Sequence, residues 1–119
     1  MNEFTHFRID QRENVTVVQL LDSHLLDRLV INELRDELIR FIKTRSPQLM
    51  LINFDCVLRF GTEAVNLLLL AQRQVAASGG EMRLCGMHEG IQEIFKVLRL
   101  EGPVFSIFSS KDDALATFC

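Results

Sequence analysis

The chain has 119 residues, one domain's worth, which excludes a large enzyme with a separate cofactor module. Hydrophobic residues make up 48% and charged residues 24%, enough apolar material to build a core without staples, so disordered and disulfide-scaffold classes are excluded as well. A net charge of -3 with no Lys/Arg cluster leaves no electrostatic footprint for nucleic acid or an anionic membrane surface.

From the N-terminus, Phe4 to Ile9 and the β-branched, alternating Val15-Thr16-Val17-Val18-Gln19-Leu20 predict two strands, joined as a hairpin around Gln11 to Asn14. Val30, Leu34, Leu38 and Ile42 recur every four residues with charged residues between them, which predicts an amphipathic helix ending before Pro47. Asp27 is its N-cap, with Leu26 and Ile31 as a hydrophobic staple. Leu49-Met50-Leu51-Ile52-Asn53-Phe54 is the continuous apolar run of a strand buried on both faces, and it belongs at the centre of a parallel sheet. A second helix over Thr62 to Ser78 is closed by Gly79-Gly80, whose first glycine supplies the left-handed residue past the helix end. Glu81 to Met87 predicts a strand, Ile91, Ile94, Phe95 and Leu98 a third helix, and Val104 to Phe108 another strand. Ser110-Lys111-Asp112-Asp113 has the form of a capping box before a last helix through Phe118. Strands alternating with helices give an α/β fold with a mostly parallel sheet and about four helices, residues 1–119 forming one domain.

Groups that carry chemistry are few. Cys56, Cys85 and Cys119 are odd in number, far apart, and without a His at zinc-ligand spacing, so they read as idle thiols of a reducing cytoplasm and no metal is expected. Met1 to Arg8 lacks a basic segment followed by an apolar one, and the longest apolar run, Leu67 to Ala71, is far below the ~20 residues of a membrane span. A soluble cytoplasmic protein is expected. No local signature pairs a cysteine with His6, His24 or His88 as nucleophile and base, and His24 and His88 fall at element boundaries where capping or exposure is ordinary. The glycines form no phosphate-cradling loop, so no nucleotide cofactor is expected.

The segment Asp55 to Ala64 stands apart, because it lies at the carboxyl end of the central strand and the amino end of the next helix, where a parallel α/β sheet presents its functional face. Thr62 is expected as N-cap, with Glu63 in the first turn where the helix dipole favours negative charge. At about 100° per residue, Ala64, Leu68, Ala71 and Val75 share the core stripe while Glu63, Asn66, Leu70 and Arg73 fall opposite. Leu70 is then an apolar residue on a polar, exposed face, a candidate for partner binding.

In these parts and their order the chain resembles the STAS domain, the family of anti-sigma-factor antagonists. The parts are Leu26-Asp27 at a helix start, Val57-Leu58-Arg59-Phe60 after a buried strand, a helix closed by Gly79-Gly80-Glu81-Met82, and Ile91, Ile94 and Phe95 leading to Leu100. The resemblance implies a small α/β domain with a mixed sheet. It also implies a second helix whose first turn carries Asp-Ser-Ser-Gly, the second Ser being phosphorylated by a kinase that doubles as an anti-sigma factor. Those positions fall on Gly61, Thr62, Glu63 and Ala64, which puts Glu63 in the phosphoacceptor column and leaves the Thr62 hydroxyl as an alternative acceptor. A carboxylate carries one permanent charge where phosphoserine carries about 1.5 to 2, so Glu63 approximates the phosphorylated, off state. The glycine usual before the Leu-Asp corner is replaced by Ser23-His24-Leu25.

The function expected from this is a non-enzymatic interaction module that binds a cytoplasmic regulatory protein, an anti-sigma factor or serine-kinase-like protein, through Asp27, Gly61, Thr62, Glu63, Asn66 and Leu70. The alternative is a structural STAS subunit of a signalling scaffold or lipid-transport complex, with homo-oligomerisation left open. A small hydrolase is the third reading and lacks a convergent nucleophile and base.

Overall fold

The structure, a computed structural model, describes residues 4–118. The β-branched alternation produces the hairpin it predicts: β1 (Phe7–Arg12) and β2 (Val15–Leu20) pair antiparallel from Phe7↔Leu20 to Arg12↔Val15. The first strand starts later than predicted and runs on to Arg12, because the reversal is confined to a tight turn with Glu13 at φ 55°. β4 (Leu49–Asn53) is the middle strand of the five-stranded sheet, next to β2. It is parallel to β2 on one side and to β6 (Glu81–Cys85) on the other. β7 (Ile107–Phe108) closes the edge, parallel to β6, so the five-stranded sheet is mixed and mostly parallel.

Burial on both faces explains the continuous apolar run of β4. Met50 and Ile52 join Phe7, Val18, Leu20, Met82 and Leu84 under α1 (Arg28–Arg45), α2 (Thr62–Ala77) and α3 (Glu89–Val97). Leu51 faces the other way with Val15, Val17 and Cys85, under α4 (Lys111–Ala116). Met50, Leu51 and Ile52 are all fully buried, and each such side chain contributes about 1.5–3 kcal/mol of burial.

Asp27 caps α1 as expected, its Oδ1 accepting the N–H groups of Leu29 at 2.8 Å and Val30 at 3.4 Å. Ser46 ends the helix at φ 44° before Pro47. Gly79 takes the left-handed φ of 81° past α2, and Ser110 Oγ accepts Asp113 N–H at 3.1 Å to start α4. Three elements are shorter than the sequence predicts. β6 stops at Cys85 because Gly86 turns the chain. β7 loses Val104 and Phe105 to a turn in which both donate to the Leu100 carbonyl, at 3.1 and 2.8 Å. α4 stops at Ala116, where the Thr117 hydroxyl donates to Ala114 O at 2.7 Å. Among the described residues no helix is long and apolar enough to cross a membrane. Cys119 and the first residues of the segment Met1 to Arg8 lie outside the described residues.

Candidate functional site

Two short strands absent from the sequence reading position the site. After β4 the chain turns through Asp55 to Leu58, and the N–H groups of Leu58 and Arg59 both donate to Ser23 O, at 2.7 and 3.0 Å. β5 (Arg59–Phe60) then runs parallel to β3 (His24–Leu25), and Gly61 N–H donates to Leu25 O at 3.2 Å. The segment leading into α1 is thereby stitched to the one leading into α2, so the two helices start side by side. Phe60 holds this seam to the core, its ring 5.5 Å from that of Phe54 and 5.8 Å from that of Phe95.

Gly61, not Thr62, is the N-cap of α2. Its carbonyl accepts from Ala64 at 3.1 Å and Val65 at 3.3 Å, and no side chain caps this end. Gly61 lies against the segment before α1, where a Cβ would stand 3.1 Å from the end of the exposed Leu26 side chain. Thr62 becomes the first helical residue, with its side chain exposed.

Glu63 follows in the first turn, where the helix dipole favours its charge. Its Oε1 accepts from Arg28 Nη2 at 3.1 Å, an ion pair with side chains 49% and 78% exposed. The hydrogen bond to Glu63, reinforced by its charge, raises the pKa of Arg28. Arg28 was not legible in the sequence because it meets Glu63 only across the β3·β5 seam. Asp27 lies next to it in the chain, committed to capping α1.

Exposed leucines lie near the pair in the chain and the seam. Leu26, Leu29 and Leu58 are 56%, 67% and 57% exposed, three of the five large hydrophobics exposed among the described residues; Leu26 and Leu29 flank Arg28 in sequence, and Leu58 precedes β5 with its N–H on Ser23 O. An apolar rim around an ion pair is the composition of a protein docking patch. Leu26 therefore does not serve as a buried staple on Ile31; its end lies beside Gly61. The signal for Leu29 was present, since it falls off the core stripe of α1.

Asn66 is exposed one turn beyond Glu63. Leu70 is not on an exposed face: it is half-buried, lining a shallow groove of about 360 Å³ with Arg35, Ile39, Arg40 and Thr44, because α1 packs alongside α2 there. Of the predicted site residues, the structure brings Asp27, Gly61, Thr62 and Glu63 to one corner, places Asn66 on the next turn and takes Leu70 into the α1–α2 groove.

The remaining candidates have other surroundings. His24 is exposed on β3, and His88 is the N-cap residue of α3 without a side-chain capping bond. Cys56 is exposed, and its Sγ accepts from Gln19 Nε2 at 3.6 Å. Burial, aided by the charge of Asp55, pushes the Cys85 thiol up to about 12, which keeps it neutral and unreactive. Among the described residues no group of three or more His, Cys, Asp or Glu is arranged to hold a metal ion.

A mixed sheet with α1 and α2 starting together beside a two-stranded seam defines a class. The sequence matches the STAS domain over residues 6–114, and the chain belongs to that family. The fold is that of anti-sigma-factor antagonists. TM1081 of Thermotoga maritima superposes with a TM-score of 0.80 at 12% identity, covering 93% of this chain and 92% of that one. The Bacillus cell-fate determinant SpoIIAA in its phosphorylated form gives 0.70 at 18% identity, with 95% and 99% covered. A chain of the stressosome, described as a signal integration and transduction hub, gives 0.72 at 15% identity, with 92% and 93% covered. A search of curated proteins finds no significant match.

Proposed function

We propose that this chain is a non-enzymatic, cytoplasmic interaction module of the anti-sigma-factor-antagonist kind, which binds an anti-sigma factor or serine-kinase-like protein through the corner where α1 and α2 begin. Glu63 occupies the position of the phosphorylated serine and fixes the module in one charge state. The observation that carries this reading is the exposed Glu63 carboxylate in the first turn of α2, paired with Arg28 at the start of α1, where Leu26 and Leu29 are also exposed. SpoIIAA, of the same fold, is known in a phosphorylated form, which supports a charge-controlled docking face here.

The test compares the wild-type chain with Glu63→Ser against a purified anti-sigma-factor kinase-like ATPase from the same organism, with and without ATP. Wild type is expected to take up no phosphate and to bind with an affinity indifferent to ATP. Glu63→Ser binds about tenfold more tightly before ATP is added, becomes phosphorylated, and then falls back to the wild-type affinity, a change of about 1.4 kcal/mol. Stoichiometric phosphate on Thr62 of the wild type would overturn the fixed-charge reading.

A second reading, a subunit of a signalling scaffold, draws support from the likeness to the stressosome chain. Sedimentation showing a stable homo-oligomer whose interface covers Thr62 and Glu63 would favour it.

A further inference from the structure

We propose that Arg28 is an internal reader of the charge at position 63: it closes on an anionic side chain there, carboxylate or phosphate, and ties the first turn of α1 to the first turn of α2. The contact is direct, Arg28 Nη2 to Glu63 Oε1 at 3.1 Å, and joins residues 35 positions apart. The neighbouring Asp27 turns its Oδ1 to the N–H groups of Leu29 and Val30, and the hydrogen bond that Arg28 makes goes to Glu63 instead. Arg28 spends one N–H on Glu63 and is 78% exposed, so further donors of its planar fork are available to a group with more acceptor oxygens. A phosphate offers three such oxygens and up to twice the charge of a carboxylate.

The consequence reaches the docking corner. Arg28 stands between Leu26 and Leu29 in the chain, both exposed. With an anion at position 63 its charge is neutralised within the chain, and the corner offers an apolar rim around a closed ion pair. With a neutral side chain there, Arg28 is released and presents a cation between the exposed Leu26 and Leu29. The partner suited to that open state carries an apolar surface with an acidic side chain that takes the place of Glu63 on Arg28. One change at position 63 thus alters two charges on the face. The regulatory meaning of the contact rests on the function proposed above; the contact itself does not.

Replacing Glu63 by phosphoserine during synthesis of the full chain, with Arg28 retained or changed by Arg28→Met, allows the second ionisation of the phosphate to be followed by 31P NMR. With Arg28 present the ionisation constant is expected to be about threefold larger than with Met, the difference shrinking in about 1 M salt as the exposed pair is screened. In the unphosphorylated chain, Glu63→Gln and Arg28→Met are expected to move the same Leu29 and Val30 amide resonances. Equal ionisation with and without Arg28, or Leu29 and Val30 resonances unmoved by Glu63→Gln, overturns the assignment whatever the binding experiment gives. If the phosphate shift is present while Glu63→Ser leaves partner affinity unchanged, the proposed function falls and the Arg28 contact stands.

Discussion

Gly86 holds φ at 73° where the chain leaves β6, and a Cβ added there would stand 2.3 Å from Asp55 Oδ1 and 2.6 Å from Asn53 Oδ1. The Asn53 oxygen cannot retreat cheaply, and the exposed Asp55 side chain can turn away only by giving up its bond from Asn53. Asn53 is 1% exposed, its amide donates to Gln19 Oε1 at 2.8 Å and Asp55 Oδ2 at 3.2 Å, and its Oδ1 accepts Asp55 N–H at 3.1 Å. Gly86→Ala therefore combines left-handed backbone strain with disruption of a buried amide network. It is expected to lower the unfolding free energy by about 2–4 kcal/mol, read from the urea midpoint at constant slope. Asp55→Ala removes the nearer obstructing oxygen, so the double variant should regain part of the loss. Non-additivity is the signature of this mechanism, since simple addition would place the whole effect in the backbone.

At the scale of elements, the two-residue strands β3 and β5 matter more than their length suggests, because they set α1 and α2 side by side at their starts. Their hydrogen bonds are few, and the stack of Phe54, Phe60 and Phe95, continued by Phe105 at 5.7 Å from Phe95, keeps the seam in place. Phe60→Ala should cost about 3–5 kcal/mol of global stability, as large buried rings do. Phe60→Leu should cost only about 1–1.5 kcal/mol, yet speed hydrogen exchange at the Gly61 amide more than in the middle of β4, since the seam loosens before the sheet. Equal acceleration at both sites would place Phe60 in the global core alone. This seam also marks where sequence reading stops. α1 and α2 were legible because more than ten residues of period give the same answer, and β2 and β4 because six successive residues alternate or stay apolar. His24-Leu25 and Arg59-Phe60 offer two residues each and no period, and only their pairing across 35 positions makes them strands. Of the site, Asp27, Thr62 and Glu63 were legible as helix-start residues, whereas Arg28, Leu26, Leu29 and Leu58 acquire their roles from that pairing. The half-burial of Leu70 was illegible for the complementary reason: a helical wheel shows which residues leave the core stripe of α2, but not that α1 lies against them.

At the scale of the whole molecule, the chain start, the β2–β3 connection and α1 are joined at His6, which is 6% exposed. Its Nδ1 lies 2.7 Å from Asp22 Oδ2 and its Nε2 3.2 Å from Glu33 Oε1, while Glu37 accepts the N–H groups of Thr5 at 2.9 Å and His6 at 3.0 Å. Burial works against a charged imidazole, but the hydrogen bond and charge of Asp22, then the bond to Glu33 and the charge of Glu37, outweigh it and raise the pKa of His6. For Glu37 burial is likewise outweighed, by the Thr5 and His6 N–H groups, and its pKa is lowered. The signs follow from linkage. The raised His6 contributes stability that is fully present below the ordinary histidine value of about 6.5 and is lost as pH rises through its folded pKa. The lowered Glu37 contributes stability present above the ordinary carboxylate value of about 4.3 and lost as pH falls through its folded pKa. Both are intact between roughly pH 4.5 and 6.5, so the thermal midpoint should be highest there. It should then fall toward pH 9 as His6 loses its proton. His6→Gln keeps a hydrogen-bonding side chain but cannot take up a proton: it should lower the midpoint near pH 6 and flatten the alkaline limb, leaving the acid limb in place. An alkaline slope unchanged in His6→Gln would assign that limb to other titrating groups and reduce the cluster around His6 to neutral hydrogen bonds.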